Sequence, residues 1–147
     1  MKKYLSLHIF SLLIVFTCCN LGAGSYSYAE RYKIDISHNK LVEKIENLKK
    51  DNPEYIYNRY QDGNDQYDLF YSIYFYFKNK DAIIHCAINN KDDDKYSNIL
   101  LTSVCYEKTS KTWKRLNSKD LTEEEISEIK KMFESEILDK LGKWERK

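Results

Sequence analysis

Tyr67–Lys78 reads YDLFYSIYFYFK, and its two-residue alternation sets the fold class. Leu69, Tyr71, Ile73, Phe75 and Phe77 fall on one side of an extended chain, and Phe70, Ser72, Tyr74 and Tyr76 on the other. This is a long strand with one strongly apolar face and one aromatic face. Asn79-Lys80 then turns the chain into Asp81–Asn89, where Ile84, Cys86 and Ile88 alternate with Ile83, His85 and Ala87. A polar loop, Asn90–Lys95, leads to a third strand at Tyr96–Glu107, with Ile99, Leu101, Ser103 and Cys105 expected on one face. Lys108–Lys111 turns again, and Thr112–Leu116 adds a short strand carrying Trp113. Upstream, Asp62-Gly63-Asn64-Asp65 is a turn signal. Glu54–Gln61 before it is rich in Tyr and reads as a short irregular strand.

A helix flanks this meander on each side. Leu41, Val42, Ile45 and Leu48 recur at helical spacing over 38–51, with Ser37 placed as N-cap. Glu46 and Lys50 form an i,i+4 pair in the favourable order, and Asp51-Asn52-Pro53 stops the helix. At the other end, Thr122 and Glu125 have capping-box spacing, and Glu123–Glu125 sit at the positive end of the helix dipole. Ile126, Ile129, Phe133, Ile137, Leu138 and Leu141 form its apolar stripe, and Gly142 supplies the stop. Glu30–Ile36 reads as a short extended opening segment and Lys143–Lys147 as a charged tail. The expected architecture is therefore α+β: a two-layer domain with an N-terminal helix, an antiparallel meander of three to four strands and a C-terminal helix. Both helices lie on the strongly apolar sheet face.

The first 29 residues have the features of an export signal. Lys2 and Lys3 form a positive n-region, Tyr4–Phe16 is an apolar run too short to span a bilayer, and Ser27-Tyr28-Ala29 offers small residues at −3 and −1. The reading is a removed signal peptide, 1–29, followed by a single domain, 30–147, in the periplasm or outside the cell. The alternative is a lipid anchor through Cys18, although Phe16 and Thr17 suit a lipoprotein signal poorly.

Removal of Lys2 and Lys3 turns the formal net charge of +1 into −1. A near-neutral, evenly mixed surface argues against nucleic acid and against a basic membrane patch. Of the four cysteines, only Cys86 and Cys105 follow the leader. In an exported domain such a pair reads as one disulfide, worth about 3 kcal/mol by loop closure. The expected hairpin register sets Cys86 opposite Cys105, Ile88 opposite Ser103 and Asn90 opposite Leu101.

Chemistry-bearing constellations are sparse. His38 stands at a helix start, and His85 points away from Cys86 on the same strand, so no Cys–His nucleophilic pair forms. Cys86, Cys105 and His38 match no zinc spacing. Asp62, Asn64, Asp65 and Asp68 fail the calcium-loop pattern, which needs Gly at its sixth position and Glu at its twelfth. No metal or cofactor is implied, and no buried carboxylate pair is legible. What remains is a candidate binding surface: Phe70, Tyr74 and Tyr76, with Tyr55, Tyr57 and Tyr60 preceding them, and the acidic knot Asp92, Asp93 and Asp94. Tyr is favoured at interfaces because it buries much area for little lost freedom.

The expectation is an exported, non-enzymatic binding protein with a protein-recognition surface, of the kind used by periplasmic inhibitors and immunity proteins. Its partner would be another exported or envelope protein. A small-ligand carrier, with an apolar pocket between helices and sheet, is the alternative, and a small hydrolase a more distant one.

Overall fold

A computed structural model describes residues 26–90 and 95–147. The leader to residue 25 and the acidic knot Asp92–Asp94 lie outside the described residues. In chain order the elements are β1 (Glu30–Ile34), α1 (His38–Asp51), a 3-10 turn (Pro53–Tyr55), β2 (Gly63–Asn64), β3 (Phe70–Phe77) and β4 (Ala82–Asn89). Then come β5 (Ser97–Tyr106), β6 (Trp113–Arg115), α2 (Glu123–Phe133) and β7 (Trp144–Arg146). Between α2 and β7 the helix continues through a π turn (Glu134–Leu138) and a last turn (Asp139–Leu141).

The α+β architecture holds, but the sheet is larger than the sequence pattern indicates. Its seven strands run in the order β2-β3-β4-β5-β1-β7, every pairing antiparallel, with β6 on the same edge of β5 as β1. A strand therefore precedes the first helix and another follows the second. Three to five residues suffice for β1 and β7, because each borrows its hydrogen bonds from a neighbour: Glu30 faces Leu101, and Ile34 faces both Ser97 and Trp144. The outermost strands β2 and β7 are very short, which limits the unpaired edge offered to other chains. Among the described residues no helix is long and apolar enough to cross a membrane.

Both helices cover one face of this sheet. From α1, Leu41 and Ile45 are buried, and from α2 and its extension Ile129, Phe133, Ile137, Leu138 and Leu141. They pack on Tyr32, Ile34, Ile73, Phe75, Phe77, Ile84, Cys86, Ile88, Ile99, Leu101 and Val104. Ser37 occupies the N-cap of α1 but makes no side-chain cap bond. The capping box of α2 is complete, with Glu125 N donating to Thr122 Oγ1 at 3.2 Å and Thr122 N donating to Glu125 Oε2 at 2.7 Å. A strictly α-helical stripe drifts around the axis as it lengthens; the wider π turn absorbs that drift and keeps Ile137 and Leu138 on the sheet. Gly142 ends the helix at φ +139°, which favours glycine, and Lys44 Nζ donates to the terminal carbonyl of Leu141 at 2.7 Å.

The expected disulfide is absent. Cys86 and Cys105 are free, buried thiols, and the β4–β5 register explains why. Ile83 faces Cys105, Ile84 faces Val104 and His85 faces Ser103, but Cys86 faces Leu101. One extra residue, Thr102, bulges out of β5 at that point and reverses the in–out alternation of the strand beyond it. Ile99 and Leu101 face the helices before the bulge, and Val104 does so after it. Ser103 and Cys105 are thereby turned to the opposite face, away from Cys86. Burial raises both thiols, with Glu107 adding to the effect at Cys105, so both remain protonated and unreactive near neutral pH.

Candidate functional site

The sheet face turned away from the helices carries a regular grid of side chains. Reading across β3, β4, β5 and β6, one row is Tyr76, Ile83, Cys105 and Trp113, and the next is Tyr74, His85, Ser103 and Arg115. Directly opposed residues on one face touch, and here the Tyr74 and His85 rings stack at 4.8 Å. The loop between the 3-10 turn and β2 lays two more rings on top. Tyr60 stacks on Tyr74 at 5.0 Å and meets Trp113 edge-on at 5.4 Å. Tyr57 lies 4.9 Å from Tyr76 and 6.3 Å from Tyr60. On the other flank Tyr26 meets Phe70 edge-on at 5.0 Å and lies 5.9 Å from His85. The rings form one connected band across the face. Trp113 is 37 % exposed, and Tyr57, Tyr60, Tyr74 and Tyr76 are half-buried.

Charged pairs hold the band in place. Lys49, buried at the end of α1, pairs with Asp62 and donates to the Tyr74 carbonyl at 2.7 Å, while Asp62 Oδ1 accepts from Tyr74 N at 3.0 Å. β2 runs only to Tyr71 and Ser72 along β3, so this ion pair replaces the missing strand partner of Tyr74. Arg59 Nη1 donates to both carboxylate oxygens of the buried Glu107, at 2.9 and 3.0 Å, which ties the tyrosine loop to the end of β5. Asp81 adopts φ +51° at the β3–β4 turn and accepts from Tyr76 Oη at 3.2 Å and from Lys108 N at 2.6 Å. A groove of about 310 Å³ opens between Tyr57, Tyr60, Gln61, Asp62 and Tyr74.

A second hollow, of about 170 Å³, lies beside His85 and is walled by Tyr26, Tyr28, Ala29, Thr102, Ser103 and Arg115. Thr102 Oγ1 donates to the His85 carbonyl at 2.9 Å and lies 2.7 Å from Nδ1. With its proton committed to the carbonyl, the hydroxyl accepts from Nδ1–H, which leaves the lone pair on Nε2. Burial pushes His85 down to about 4, so the ring is neutral at neutral pH.

No protein-family model, curated protein or solved structure matches this chain.

Tyr57, Tyr74 and Tyr76 come together in the aromatic band. Phe70 lies on the same face but is buried beneath Tyr26, in a small cluster with Ala87 and Leu100. Tyr55 is on the other side of the sheet, buried against Phe75 and Phe77. Tyr60 joins the band from the same loop as Tyr57, and Trp113, Arg59 and Tyr26 belong to it although the strand pattern does not point to them. Arg59 and Tyr26 sit in irregular backbone, where alternation carries no information. For Trp113 the signal was present, since a lone Trp in a strand beside tyrosine-rich strands is an interface cue.

Proposed function

We propose that this chain is a non-catalytic recognition domain that docks a partner protein on the aromatic face of its sheet. The observation that supports this reading is the connected band of partly exposed rings, Tyr57, Tyr60, Tyr74, Tyr76 and Trp113, on the side the helices leave uncovered. Trp, Tyr and Arg dominate the binding energy of protein interfaces. Rings already packed on one another lose little freedom when a partner arrives. The cations around the groove are neutralised by Asp62 and Glu107, which suits a protein surface better than a polyanion. The carrier reading gains little: the crevice between α2 and the sheet at Ala82, Ile129 and Met132 holds about 30 Å³, room for a water or so. For an exported chain, the fitting role is that of an inhibitor or immunity protein acting on an exported or envelope protein.

The test is capture from the exported and envelope fractions of the source organism, with wild type and a Tyr60→Ala/Trp113→Ala variant. Wild type should retain one stoichiometric protein. The variant should keep its fold and lose at least about thirtyfold in affinity, the equivalent of a ~2 kcal/mol hot spot. Equal binding by both proteins would refute the aromatic face as the docking surface. A wild-type protein that instead carries a small molecule, seen by mass spectrometry, would support the carrier.

A further inference from the structure

We infer that the leader is cut before Tyr26, after Gly24 or Ser25, so that Tyr26–Ala29 remain on the mature chain as a strap over the sheet. This inference rests on the export reading of the leader. Four bonds satisfy the small-residue rule for signal cleavage, those after Gly24, Ser25, Ser27 and Ala29, with Gly22, Ala23, Ser25 and Ser27 at −3. The sequence rule does not separate them, but the fold sets the first two apart from the others.

Tyr26–Ala29 is built into the domain at every residue but Ser27. The Tyr26 ring packs edge-on against Phe70 at 5.0 Å and lies 5.9 Å from His85. Ala29 N donates to the Tyr26 carbonyl at 3.1 Å, closing a turn, and Ala29 packs on the Phe70 cluster. The Tyr28 carbonyl accepts from Asn117 N at 3.1 Å, and the Arg115 guanidinium lies 4.6 Å over the Tyr28 ring. A segment discarded during export has no use for partners in the mature domain, whereas this one has partners on β3, β6 and the loop beyond β6. A cut after Ala29 would strip the cover from Phe70, Ala87 and Leu100. It would also remove a wall of the hollow beside His85 and leave Glu30, the first residue of β1, as a charged terminus against Leu101.

The experiment is export of the full chain, followed by intact mass and N-terminal sequencing of the released protein. Its first residue should be Ser25 or Tyr26. A Gly24→Leu/Ser25→Leu variant should accumulate as the uncut precursor or be cut elsewhere, because Leu at −1 does not satisfy the rule. A mature chain beginning at Tyr28 or Glu30, or a Gly24→Leu/Ser25→Leu protein processed as in wild type, would overturn the inference while leaving export intact. An acylated Cys18 terminus would also overturn it, and a chain still beginning at Met1 would overturn both it and the export reading.

Discussion

His85 makes the stability of this domain depend on pH in a window that few other groups share. Its ring is covered by Tyr74 at 4.8 Å, Trp113 at 6.0 Å and Tyr26 at 5.9 Å, and Nδ1 is tied to Thr102. Burial lowers its pKa to about 4 from the 6.5 of an ordinary histidine. Between those values the unfolded chain takes a proton that the folded chain refuses, so stability falls as pH falls through the window and is complete above 6.5. At 1.36 kcal/mol per unit the full effect is about 3 kcal/mol, with roughly 2 kcal/mol lost by pH 5. Urea unfolding from pH 7.5 to 4.5, on wild type and His85→Asn, isolates it. Asn keeps an N–H near the position of Nδ1 for Thr102, and carboxylates that titrate in both proteins cancel in the difference. The wild-type advantage should shrink by roughly 2 kcal/mol between pH 7.5 and 5. Parallel curves would mean that the ring is solvated, and would refute the packing of Tyr26 and Tyr74 over it.

The ion pair beneath Tyr74 gives a second test. Asp62→Ala strands a buried Lys49 and should cost about 3 kcal/mol in urea unfolding, whereas Lys49→Met with Asp62→Leu should recover only part of that loss, because Tyr74 N–H and C=O both lose their partners. Both thiols should react with iodoacetamide only after denaturation, even in protein prepared under oxidising conditions. A reducible Cys86–Cys105 link would show the β4–β5 register to be wrong. Thr122→Ala removes half of the capping box and should lower stability by about 1 kcal/mol, read as a fall in the denaturation midpoint at unchanged slope.

The elements legible in the sequence are those whose pattern is carried by their own length. β3 shows its alternation over the whole of Phe70–Phe77, and α1 runs from His38 to Asp51 as its stripe and its Asn52-Pro53 stop require. β1 and β7 are too short to show a period, and what makes them strands is a partner far away in the chain: Tyr32 pairs with Ile99 and with Arg146. The error over the cysteines has a single physical origin. Counting residues along β5 assumes unbroken alternation, and Thr102 breaks it without Gly or Pro to announce the bulge. The candidate surface was half legible for a similar reason. Tyr74 and Tyr76 follow from the alternate face of β3, but Tyr60 and Tyr26 reach the band along irregular backbone. Tyr55 was lost to the core because the turn at Pro53 aims it at Phe75 and Phe77.

The bulge at Thr102 has a consequence for how the chain matures. By keeping Cys86 and Cys105 on opposite sides of a single layer of backbone, it separates folding from oxidation. The native pairing needs no oxidant, and a Cys86–Cys105 link made before folding would have to be reduced before β4 and β5 could pair in this register. A chain organised in this way completes its sheet fastest when β4 and β5 pair before its two thiols meet.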